Sequence, residues 1–144
     1  MNALKLIKAD HERISDLLEE ALDTDEPRER ADLLHQIRAE LMAHEHMEET
    51  VFYPALRSSA EAREIVLEGY EEHHVIDMIL DELLDVPEES DQWKAKLKVL
   101  KENIEHHVEE EEGEMFKFAK QVFDEETLEE IGEKMQTAKE AAAA

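Results

Sequence analysis

Four long stretches of this chain carry apolar residues at alternating spacings of three and four, and short breakers separate them. That spacing draws one apolar stripe along a helix, so the chain must fold by packing four stripes together. Aromatics make up only 5% and there are three Gly and three Pro. Ala, Leu, Glu and Lys dominate instead, a mix that favours helix over strand. The first helix is expected over about 2–22, ending at the acidic turn before Pro27, which opens the second over about 27–56. Pro54 is expected to kink or end that second helix. Ser58 and Ser59 offer an N-cap for a third over about 60–84, and Ser90 or Asp91 for a fourth over about 91–123. Asp124 can cap a fifth over about 125–138. Short connections make neighbours antiparallel. The fold expected is therefore all-α, an antiparallel up-down-up-down four-helix bundle with a short C-terminal fifth helix. At 144 residues the chain fits one domain, 1–144, with the bundle at about 2–123 and Ala141 to Ala144 as a frayed tail.

The stripes are interrupted. They read Leu4, Ile7, His11, Ile14, Leu18, then Leu34, Ile37, Leu41, His44, Glu48, Val51, Ala55. The third is Ala62, Val66, Gly69, His73, Ile76, Leu80, Leu83, and the fourth Trp93, Leu97, Leu100, Ile104, His107, Glu111. Six ionisable residues thus stand where core residues belong. Burying such groups is costly unless they pair or hold a metal. Four histidines on four helices, two of them followed four residues later by an in-phase Glu, point to a metal site. The two halves echo each other, each pairing a lone His with a His-to-Glu step, as a pseudo-twofold site requires.

Phase separates these residues from their neighbours. His35, His46, His74 and His106 fall off the stripes and are assigned to solvent or to outer positions. A ligating imidazole donates its other ring nitrogen to a carboxylate or carbonyl, a role open to Asp10, Glu72 and the acids around His107. Imidazole and carboxylate without sulfur suit iron, manganese or zinc. Six such groups exceed one tetrahedral ion and suit two ions bridged by Glu48 and Glu111, with Glu45 as a further candidate ligand. A ferritin-like site needs Glu-x-x-His on two helices. Glu71 and His74 supply that spacing once, off the stripe, so that reading fails. Met42, Met47, Met78 and Met115 are read as core gap-fillers.

Other classes are excluded by charge and composition. With 40 acidic and 16 basic residues the net charge is −24, which disfavours nucleic acid and anionic membrane surfaces. The basic group Lys94, Lys96, Lys98, Lys101 is interleaved with acids and reads as a solvated mixed-charge face. There is no cysteine, hence no disulfide, thiolate zinc site or iron–sulfur cluster. No signal peptide or spanning segment is evident, so a cytoplasmic protein is expected.

The stretches DHERI at His11, HEHMEETVFYP at His44 and Glu48, EEHHVIDMILDEL at His73, and HHVEEEEGEMF at His107 and Glu111 resemble the hemerythrin family, specifically its HHE cation-binding branch. The resemblance implies a non-haem di-iron centre, oxo- or hydroxo-bridged, with iron preferred over manganese or zinc. It implies O2, hydrogen peroxide or nitric oxide as small ligands, with catalase- or peroxidase-like turnover or iron and oxygen sensing, or metal storage, as readings to separate. A monomer or weak homo-oligomer is expected. Oxygen-carrying members have a second ligand His four residues after the third-helix His. Asp77 stands there, as a weak ligand, an outer partner or a gap. They also end on an Asp five residues after the last His, where this chain has Glu111 four after His107. Both departures turn the expectation from reversible O2 carriage toward peroxide or nitric oxide chemistry, or iron and oxygen sensing. Tyr53 and Tyr70 are near enough in sequence to approach the site.

Overall fold

The structure, a computed structural model, describes residues 1–143, and they form five helices with no strand. Helix α1 spans Ala3–Asp23. Helix α2 runs Pro27–Met47, passes through a π-helical turn at Glu48–Phe52, and closes with Tyr53–Arg57. Helix α3 is Arg63–Leu84. Helix α4 runs Asp91–Glu110, passes through a second π-turn at Glu111–Met115, and ends with Phe116–Val122. Helix α5 is Glu125–Ala143.

The first four form an antiparallel bundle. Asn2 caps α1 by accepting from the Lys5 N–H, and Ser90 caps α4 through the Trp93 N–H. Glu26 caps α2 just before Pro27, and Asp124 accepts from Thr127 to start α5. The start of α3 corrects the expected serine cap. Ser58 Oγ donates back to Ala55 O, closing α2, and α3 begins three residues later than expected after Ala62, without a side-chain cap.

The two π-turns begin at Glu48 and Glu111. Tyr53 N–H reaches Glu48 O and Phe116 N–H reaches Glu111 O, one residue further than in an α-helix. Each turn therefore inserts one residue and rotates the downstream part of its helix. Downstream of Glu48 the buried residues are Phe52, Tyr53 and Leu56, while Val51 and Ala55, expected on the stripe, are half-buried. Pro54 does not end the helix. Its missing N–H falls where the π-turn would call on Glu49 O, and the Tyr70 hydroxyl donates to that carbonyl at 3.2 Å.

Two apolar cores flank a polar layer. One holds Ile14, Leu18, Leu34, Ile37, Leu80, Leu83, Trp93 and Leu97. At its end Arg30 stacks over Trp93 at 4.9 Å and donates to Thr24 O and Glu88 O, tying two loops together. The other holds Ile7, Met47, Phe52, Leu56, Val66, Met115 and Phe116, and Leu128, Ile131 and Met135 of α5 complete it. Burying each of those three side chains contributes about 1.5–3 kcal/mol, which accounts for the docking of α5 on α1 and α2. That helix is longer than expected, running through Ala143; the rest of the expected tail, Ala144, lies outside the described residues. Met47 and Met115 are core, but Met42 and Met78 are exposed, because both fall off the stripes. No helix among the described residues is long and apolar enough to cross a membrane.

Candidate metal centre

Between the two cores all six stripe residues come together. His11, His44, Glu48, His73, His107 and Glu111 are each at most 7% exposed. The imidazoles form two edge-to-face pairs, His11 with His44 at 5.0 Å and His73 with His107 at 4.8 Å. Each pair faces both carboxylates. Glu48 Oε1 lies 3.3 Å from His44 Nε2 and 3.0 Å from His73 Nε2. Glu111 places Oε1 2.9 Å from His11 Nε2 and Oε2 3.4 Å from His107 Nε2. Both glutamates therefore straddle the two histidine pairs.

The donors fall into two groups, each compact enough to surround one ion. His11, His44, Glu48 and Glu111 form one, and Glu48, His73 and His107 the other, with donor atoms within 4.8 Å of one another. Four of these buried atoms, His11 Nε2, His44 Nε2, Glu48 Oε2 and Glu111 Oε1, have no hydrogen-bond partner despite their proximity. Unsatisfied buried polar atoms are rare. Buried nitrogen and oxygen donors converging at this spacing are the kind of set that divalent metal ions take.

Every imidazole is held from behind by an acid. Nδ1 of His44 meets Asp10 at 2.9 Å, and Nδ1 of His107 meets Glu72 at 2.6 Å. Nδ1 of His73 meets Glu49 at 2.7 Å, and Nδ1 of His11 meets Glu112 at 2.6 Å. With Nδ1 donating to a carboxylate, Nε2 is left to face the centre. Asp10 and Glu72 serve the histidine of the next helix, not their own sequence neighbour. Glu49 and Glu112 follow Glu48 and Glu111 and serve the histidines of the adjoining helices α3 and α1, roles that phase alone did not single out.

The electrostatics are those of a packed cluster of opposite charges. Burial alone would depress the imidazoles, but the carboxylates outweigh it. Glu48, Asp10 and Glu111 push His44 up to about 10, and Glu48 and Glu49 push His73 up to about 9. His107 is raised by Glu111 and Glu72, and burial's upward push on Glu111 is overcome by His107 and His11, which hold it well below the usual range.

Tyr53 enters the site, turned inward by the π-turn. Its hydroxyl donates to Glu111 Oε2 at 2.8 Å and lies 3.4 Å from His73 Nε2. It fits because Gly69 leaves room; a Cβ there would stand 2.9 Å from the hydroxyl oxygen. Burial and the neighbouring carboxylates keep the phenol protonated. Tyr70 packs edge-on against Tyr53 at 5.1 Å. A second residue that the stripes did not indicate is Lys139 of α5. Its ammonium lies 2.5 Å from Asp10 Oδ1, so α5 reaches the support of His44.

Glu45 and Asp77 belong to neither donor group around Glu48. They face each other on the outer side of His73. Burial pushes the Glu45 carboxyl up to about 9 and also raises Asp77. His35, His46, His74 and His106 are all exposed. His106 makes only surface approaches to Glu110 and Glu72.

The hemerythrin HHE cation-binding domain model matches residues 2–119, most of the chain and all four bundle helices. The chain belongs to the hemerythrin HHE family. Among solved structures, this HHE protein is similar to a hemerythrin HHE cation-binding domain-containing protein of Mycobacterium kansasii, with 28% identity and a TM-score of 0.89. That likeness covers 99% of this chain and 88% of the other. A curated relative, the DNA nickase of Nostoc sp., is 26% identical over 119 residues. The match takes in 81% of this chain but spans only 33% of the relative's length. Helix α5 lies beyond the residues that the family model matches, but the likeness to the Mycobacterium kansasii structure takes it in.

Proposed function

We propose that this HHE domain holds two iron ions between His11, His44, Glu48, His73, His107 and Glu111, and uses them to bind O2 or to react with hydrogen peroxide or nitric oxide. The observation that supports this is the pair of donor groups sharing Glu48, with every Nδ1 occupied by an acid and every Nε2 turned inward. Iron bound there would supply one-electron redox chemistry that no protein side chain offers.

The chain's own residues shape access and polarity. Beside the histidines lies a cavity of about 20 Å³, walled by Ile14, Leu41, Ile76, Ile104 and Val108. It admits about one water-sized molecule, which restricts ligands to diatomics and peroxide. A cleft of about 170 Å³ lined by His11, Ser15, Leu18 and Val108 opens on the α1–α4 face and gives small neutral molecules a route inward. Tyr53 holds a proton at Glu111 Oε2, fixing that carboxylate and placing a donor at the centre. The four outer acids keep the imidazoles oriented.

Purified with iron, the protein should contain two ions per chain, show charge-transfer absorption in the near ultraviolet, and consume peroxide catalytically. One ion or none, with no such bands, sinks the reading. A sensing or storage module without turnover is the second reading. It is favoured by the Nostoc relative, in which the similar segment is about a third of a longer protein. Two bound ions with negligible peroxide or nitric oxide consumption would select it.

A further inference from the structure

With the two halves aligned on their histidines, His44 with His107 and His73 with His11, the two faces of the bundle differ. Glu49 matches Glu112, and both support an imidazole. Glu45, however, matches Val108, and Asp77 matches Ser15. The acids on the α2–α3 face are therefore additional to what the dinuclear pattern needs.

Their geometry is that of a site. Glu45 is 5% exposed, yet its Oε2 has no hydrogen-bond partner, and neither has Asp77 Oδ1. Oxygen atoms of Glu45 and Glu49 and a ring nitrogen of His73 lie within 4.8 Å of one another, the spread of donors around one ion. Exposure is graded along this face. Asp81 is exposed, Asp77 and Glu49 are half-buried, and Glu45 is buried. Glu45 also borders the small cavity beside His44, His73 and His107. The His73 ring forms the partition, with Nδ1 toward Glu49 and Nε2 toward Glu48.

We propose that Glu45, Glu49 and Asp77 form a third cation site, a port that takes a divalent transition-metal ion from solvent and passes it to the His73 half of the centre. The inference rests on the dinuclear reading of the six-residue centre. Carboxylate oxygens suit a hard divalent ion such as Mn2+. A site with few nitrogen donors, open toward Asp81, binds more weakly than the centre it feeds, which is what transit requires. The opposite face serves as an internal control. It has Val108 and Ser15 in place of the two acids, so although Glu105 and Glu109 line its cleft beside Lys101, no buried carboxylate stands next to the histidines there.

The test uses the full chain stripped of metal and titrated anaerobically with Mn2+, the free ion being counted by electron paramagnetic resonance. The wild type should bind one more Mn2+ per chain than Glu45→Gln/Asp77→Asn, and the variant should load Fe2+ at least ten-fold more slowly. Equal uptake with equal loading rates overturns the port. Diffraction from wild-type crystals soaked in Mn2+ keeps the port open to refutation if the variant misfolds. An anomalous peak between Glu45 and Asp77 supports the port, and peaks confined to the six-residue centre overturn it while leaving the dinuclear reading intact. Fewer than two ions in the centre would overturn the dinuclear reading, whatever is found at Glu45.

Discussion

Replacing Lys139 by Met tests whether α5 is part of the metal-site scaffold or only a lid on the apolar core. The substitution keeps the apolar stem and removes the ammonium. Asp10 is 1% exposed and splits its oxygens between two partners, Oδ1 to Lys139 and Oδ2 to His44. Removing one partner of a fully buried pair costs about 3–5 kcal/mol, and a charge-assisted hydrogen bond contributes about 1.5–3 kcal/mol. Asp10 keeps His44, and the Lys139 side chain is 15% exposed, so the lower figure applies. A loss of about 2 kcal/mol is expected, which for a chain of this length lowers Tm by roughly 4–8 °C. Thermal unfolding of the metal-free protein at pH 7 measures it. The double-mutant cycle with Asp10→Asn should give a coupling of at least about 1 kcal/mol. Additivity within about 0.5 kcal/mol would refute the contact, and with it the brace from α5 through Asp10 to His44.

Gly69→Ala should cost about 1–3 kcal/mol by driving a methyl against the Tyr53 hydroxyl. The cost should shrink in a Tyr53→Phe background, and an unchanged cost there would show that the hydroxyl is not the obstacle. For pH, His44 and His73 sit at about 10 and about 9 when folded, above the unfolded imidazole value. Their contribution is complete below about pH 6.5 and is lost as pH rises through 9 to 10. Glu45, raised to about 9, acts in the same direction. Tm of the metal-free protein should therefore fall from pH 6.5 to 10 while metal affinity rises, since metal displaces these protons; a Tm that climbs over that interval contradicts the charge arrangement. Deleting Val51 should remove the inserted residue, leaving an uninterrupted α-helix in which Phe52 and Leu56 stand three and seven positions after Glu48 and still face the core. A cooperative unfolding transition, seen by circular dichroism, is expected, and its loss would refute the reading of the π-turn as a one-residue insertion. His107→Ala should abolish binding of at least one metal ion while His106→Ala leaves metal content unchanged, a contrast that metal analysis decides.

Much of the architecture follows from local pattern, because helix periodicity is a property of short sequence. The stripes through His11, His44, His73 and His107 select the inward histidines over His74 and His106, since adjacent residues on a helix point about 100° apart. Glu48 and Glu111 are legible for the same reason. That reading holds only where the backbone stays α-helical. Past Glu48 the π-turn shifts the phase by one residue, so Val51 and Ala55 lose the core to Phe52, Tyr53 and Leu56. Nothing in the spacing announces that insertion, which comes from how the segment packs.

The structure also decided every pairing between helices. Asp10 adjoins His11 in sequence but supports His44, and Glu72 adjoins His73 but supports His107. Neighbours in sequence diverge around a helix, whereas residues on facing helices converge. Lys139 lies 129 residues from Asp10 and bears on it only because Leu128, Ile131 and Met135 dock α5 against the bundle. Glu45 and Asp77 show the same division. Sequence placed both beside candidate ligands, and only the approach of α2 to α3 set them facing each other outside the centre. What the sequence determined alone is the set of polar residues directed at the core. Which of them converge on one point, which brace another and which stand apart is a property of distances between helices, and those exist only once the chain has packed.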